Sequence, residues 1–101
     1  MPKREVEEFL RIKGEVLDNI ETLLIRIDQC QQQGMVDPSS TMYNELLLIS
    51  DEAEVSSTYE ELEEVETKAK ELEQNVDVWL ARHGETTISL LWPNLKPFLE
   101  K

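Results

Sequence analysis

Apolar side chains recur every three to four positions through most of this chain, and that spacing predicts helices. The recurrence is clearest from Lys3 to Gln33. Val6, Ile20 and Ile27 share one heptad position, which Lys13 interrupts. Phe9, Val16, Leu23 and Cys30 stand three residues on, and Leu10, Leu17 and Leu24 one further. A stripe of this coiled-coil kind, widened by its third row, belongs to a helix that packs against more than one neighbour. At about 1.5 Å per residue it spans about 45 Å. Pro2 suits the start of this helix. Gly34 follows the last periodic residue as a left-handed stop, with Met35 placed for the accompanying apolar contact.

Asp37-Pro38-Ser39-Ser40 opens a second helix. Asp37 or Ser39 can accept from its free N–H groups, and Pro38 fits the first helical position. Met42, Leu46, Ile49 and Ala53 form its face, and Leu47 and Leu48 widen that face toward both neighbours. Ser56-Ser57-Thr58 then offers a new start, because Ser57 with Glu60, or Thr58 with Glu61, reads as a capping box. The apolar phase slips here by about two residues, which favours a break over one helix running from 39 to 83. The third stripe is Leu62, Val65, Ala69, Leu72, Val76 and Trp79, with Leu80 beside it. Glu64 with Lys68 and Glu66 with Lys70 are i,i+4 pairs expected on its exposed side, and Gly84 ends it.

These elements predict an all-α protein: an antiparallel three-helix bundle with helices near 3–33, 38–54 and 57–83. Residues 1–85 make the bundle and 86–101 an apolar C-terminal arm. The arm holds Ile88, Leu90, Leu91, Trp92, Leu95, Phe98 and Leu99, punctuated by Pro93 and Pro97. It reads as a short helix or an extended segment, with a last turn starting near Pro93. The first helix is longer than the second can cover. Either the arm or a second subunit should shield its surplus stripe, so a homodimer is one expectation.

Charge narrows the partners. The chain has 101 residues, with 22 acidic against 10 basic and a net charge of −12. Phosphate binding needs a basic face, so direct nucleic-acid binding is not expected, nor is an anionic membrane surface. A basic protein surface is the natural counterpart. Ten of the acidic residues fall between Asp51 and Glu73, against Lys68 and Lys70. Within that run Glu60, Glu61, Glu63 and Glu64 form a solvated helix face or a docking surface for a basic partner. The single Cys30 lies on the apolar stripe and reads as a structural thiol. MPKREVEEFL has no apolar core of signal-peptide length, and no apolar run reaches spanning length, so a reducing, cytoplasmic location is the default.

Arg82-His83-Gly84-Glu85-Thr86 spells RHGET, which resembles the nucleophile motif of the histidine phosphatases, the phosphoglycerate-mutase-like family, over these five residues. The resemblance implies a motif at the end of a buried strand, a second histidine and a further arginine downstream. His83 is the only histidine and no arginine follows Arg82. Arginine and histidine also suit the negative end of a helix dipole, and glycine its stop, so the motif reads as a helix C-terminus. No catalytic residue, cofactor site or metal site is assigned. Glu-x-x-His pairs and Gly-centred oxygen loops are both missing from the sequence.

Two functions remain. One is a non-catalytic protein–protein interaction module (an adaptor, assembly factor or small helical chaperone). It would bind through its helical faces and its arm, with Trp92, Leu91, Leu95 and Phe98 as anchors. The other is an acidic decoy that occupies a nucleic-acid-binding or other basic surface of another protein.

Overall fold

The periodic positions form three long helices, α1 (Lys3–Gln32), α2 (Ser39–Val55) and α3 (Tyr59–Arg82), and one closing turn, α4 (Lys96–Leu99). The structure is a computed structural model that describes residues 3–34 and 39–100. The expectations for Pro2, Met35, Asp37, Pro38 and the Ser39 side chain lie outside these described residues. No strand occurs among them.

Polar contacts between helices fix their directions. Lys13 near the start of α1 reaches the end of α2 at Glu54, and Glu52 near that same end pairs with Lys68 in the first half of α3. Arg26, late in α1, meets Glu85 just past the end of α3. The helices therefore run up, down, up, as short connections between packed neighbours require. The molecule measures 49 × 20 × 16 Å. α1, with 30 residues, spans about 45 Å on its own and sets that length.

The core follows the stripes. Val16, Ile20, Leu23, Ile27 and Cys30 of α1 meet Met42, Leu46, Ile49 and Ala53 of α2 and the row from Val65 to Leu80 of α3. A smaller cluster of Ile12, Leu62 and Leu95 closes the other end, flanked by Phe9, Tyr59, Phe98 and Leu99. Ile12 stands outside the α1 stripe read from the sequence, yet it is fully buried. Leu47 and Leu48 do not widen the α2 face and are solvent-exposed.

Each helix boundary has a local cause. α2 ends where the Ser56 hydroxyl donates to the Glu52 carbonyl at 2.8 Å and the Ser56 N–H to the Ala53 carbonyl at 3.2 Å. Thr58 is the N-cap of α3, with its hydroxyl accepting from the Glu61 N–H at 3.2 Å. The Glu61 carboxylate accepts from the Ser57 and Thr58 hydroxyls, so the break at 56–58 is stitched by side chains. α3 ends in a Schellman turn: the Glu85 N–H reaches the Leu80 carbonyl at 2.9 Å and the Gly84 N–H that of Ala81 at 3.2 Å. Gly84 takes φ +74° to make that turn, and Gly34 takes φ +91° at the end of α1. The RHGET residues thus lie on a helix end and its stop.

Two expected ion pairs differ. Lys68 pairs with Glu52 of α2 at 3.0 Å rather than with Glu64. Glu66 does pair with Lys70, at 2.6 Å, but it is buried rather than exposed, and its second carboxylate oxygen has no partner among the described residues.

Candidate docking surfaces

At the end of the bundle where α1 begins, α2 stops and α3 starts, α4 folds back and leaves a pocket of about 540 Å³. Phe9, Tyr59 and Phe98 make its aromatic wall. Phe9 meets Tyr59 edge-on at 5.2 Å, and Phe98 stacks on Tyr59 at 4.6 Å. Val6 and Leu10 extend the apolar floor along α1 and remain 38% and 57% exposed, so the described chain leaves both partly open to solvent. Glu5 and Glu8 stand on the rim. The Lys13 ammonium, also at the rim, is engaged with the carbonyls of Glu54 and Ser56.

The surroundings hold the Tyr59 phenol neutral. Burial pushes its ionisation above the ordinary value, Glu8 and then Glu5 push it further, and Arg11 opposes them. The pocket therefore combines a neutral phenol, exposed aliphatic surface and an acidic edge. Its volume falls within the range of about 300–1,000 Å³ typical of ligand sites. Its chemistry suits burial of an apolar group that carries positive charge beside it.

The arm packs on its own bundle. Trp92 is half-buried against the main core, and its indole N–H donates to Glu73 at 2.6 Å. Leu95 is 3% exposed, in the Ile12–Leu62 cluster, and Phe98 belongs to the pocket wall. Leu91 is 92% exposed and touches neither cluster. Glu60, Glu63 and Glu64 are exposed and outline a shallow hollow on α3 with Thr67 and Lys68, while Glu61 is spent on the α3 cap. The residues singled out in the arm and on α3 are thus spread over three surfaces. Only Phe98 enters the pocket.

The pocket was not legible in the sequence. Phe9, Val6 and Leu10 were visible as a stripe too long for its partner. Tyr59, Glu5 and Glu8 carried no periodic signal that placed them beside it. Among the described residues no group of three or more His, Cys, Asp or Glu side chains is placed to hold a metal ion, and no helix is long and apolar enough to cross a membrane. No protein-family model, no curated protein and no solved structure matches the chain.

Proposed function

We propose that this chain is a non-catalytic protein–protein interaction module. Its pocket takes an apolar anchor of a partner whose flanking residues are lysine and arginine. The observation that carries this reading is the juxtaposition of a partly exposed apolar floor at Val6 and Leu10 with the Glu5 and Glu8 rim. The net charge of −12 draws a basic partner in, and the aromatic wall supplies the desolvated contact that retains it. An adaptor, an assembly factor or a small helical chaperone would use such a site. A reducing, cytoplasmic setting accords with the buried free thiol of Cys30.

The test is a titration of the full chain with two synthetic amphipathic helices. One has a single aromatic anchor between lysines and arginines, and the other has alanine at the anchor. The anchored peptide should bind at least about tenfold more tightly, a difference of about 1.4 kcal/mol. Leu10→Glu should abolish that difference. Equal binding of the two peptides, or no binding of either, overturns the pocket reading.

A second reading has its own support: the exposed Glu60, Glu63 and Glu64 on a segment that holds most of the net charge. In that reading the chain is an acidic decoy for a nucleic-acid-binding or other basic surface of another protein. Its affinity would ignore the anchor and collapse with salt, because it rests on screened charge alone.

A further inference from the structure

The arm is held as a bound peptide would be held. Past the Schellman turn it runs extended in the groove between α1 and α3. Ile88, Leu90 and Trp92 turn inward onto the main core, while Thr87, Ser89 and Leu91 between them are exposed. Its N–H groups go to one helix: the Ile88 N–H donates to Asp77 at 2.8 Å and the Leu90 N–H to Glu73 at 3.2 Å. Its carbonyls go to the other: Asn19 donates to the Leu91 carbonyl at 3.0 Å and Arg26 to the Thr86 carbonyl at 3.2 Å. The spacing has a geometric basis. Carboxylates four residues apart on a helix are offset by about 6 Å along its axis. Alternate N–H groups on an extended chain are about 6.6 Å apart. Glu73 and Asp77 therefore read every second amide of an antiparallel strand-like segment, and Glu73 also takes the indole N–H of Trp92 at 2.6 Å.

We infer that the α1–α3 groove is a receptor for an extended segment of Ile-x-Leu-x-Trp pattern, and that it accepts this segment from a second copy of the chain as well as from its own. Every group that reads the arm reads backbone or a side chain that the second copy presents identically. The inward side chains are only half-buried, and no backbone hydrogen bond within the arm links residues 86–94. Residues 86–94 therefore open at lower cost than the helices, and arm exchange needs a change of path near Gly84 together with release of Leu95 and Phe98 from the bundle end. The pocket at the bundle end lies on a different surface but takes Phe98 from the arm, so in an exchanged pair that part of its wall comes from the second copy.

The experiment titrates a labelled synthetic peptide of residues 86–100 into the full chain, wild type and Trp92→Ala. The tethered arm competes at an effective concentration of about millimolar order, so weakening it should raise the affinity for the intact peptide by about tenfold or more. Adding Glu73→Ala and Asp77→Ala to the Trp92→Ala host should remove that binding. Equal affinity in wild type and Trp92→Ala, or binding that survives loss of both carboxylates, overturns the inference. A second measurement does not depend on the fold of the Trp92→Ala variant. A chain lacking Thr86 and Thr87 keeps arm and groove but shortens the link that brings Ile88 to Asp77 and Leu90 to Glu73 in cis. Light scattering should give it the mass of a dimer, where the full chain has a monomer mass of 11.8 kDa. A monomer overturns the inference.

Discussion

Lys13 occupies the position where the α1 stripe expects an apolar residue, and its surroundings explain the exception. Its ammonium donates to the carbonyls of Glu54 and Ser56, two acceptors that the end of α2 leaves without intrahelical partners. The stem lies along the rim of the apolar pocket, so Lys13→Met keeps the packing and removes only the donor. That substitution should cost about 1 kcal/mol of stability by chemical denaturation, the scale of a hydrogen bond at a partly exposed site. Cys30 gives a prediction in pH. Burial pushes its thiol above the ordinary value, Arg26 partly offsets this, and Glu85 adds to it. The folded state thus holds the proton to higher pH than the unfolded chain does. This contribution to stability is complete below the unfolded thiol value and is lost as pH rises through the folded one. Stability should be level from neutral pH to about 8.5 and fall beyond, and Cys30→Ala should flatten the early part of that fall. Iodoacetamide at pH 8 should label the native thiol far more slowly than the thiol in urea.

At the scale of elements, two glycines with equally open surroundings should respond in opposite directions. A Cβ added at Gly14 or at Gly84 would meet nothing within 4 Å, so backbone conformation alone decides the outcome. Gly14 lies inside α1, where Gly→Ala should raise stability by about 1 kcal/mol. Gly84 holds φ +74° in the Schellman turn, where Gly→Ala should cost about 1–2 kcal/mol. Thermal unfolding of the two variants should move the midpoint up for one and down for the other. The helices, the break at 56–58 and the Gly84 stop were all legible, because periodicity and capping are local. Ile12 was not. Its burial comes from Leu62 and Leu95, which lie far along the chain and close the bundle end over it. Glu66 was misplaced for a related reason. A charge between Val65 and Thr67 reads as surface until the neighbouring helices bury it. The extended path of the arm was undetermined because its alternating inward residues meet their carboxylate partners only in the folded molecule.

For the whole molecule, charge acts with opposite signs on the free and the bound chain. The acidic residues outnumber the basic ones by 12, and many of them, including Glu60, Glu63 and Glu64, stand on exposed helix faces with few cations nearby. Among the described residues, the ion pairs Arg11–Glu15, Arg26–Glu85, Lys68–Glu52 and Lys70–Glu66 each match one acid with one base and leave that excess untouched. Like charges on a narrow rod repel, and the compact state concentrates them more than the unfolded chain does. Screening over a Debye length of about 10 Å at 0.1 M should relieve that repulsion. The melting temperature of the free chain should therefore rise between low salt and 0.5 M sodium chloride. Affinity for a lysine-flanked peptide should fall over the same range, because screening removes the steering field while leaving the aromatic wall intact. In the pocket mode the anchored peptide keeps measurable affinity at 0.5 M salt, because Phe9, Tyr59 and Leu10 still bury its side chain. A melting temperature that falls with salt would show that attractive pairs outweigh the excess charge, and would remove the electrostatic basis for choosing a basic partner.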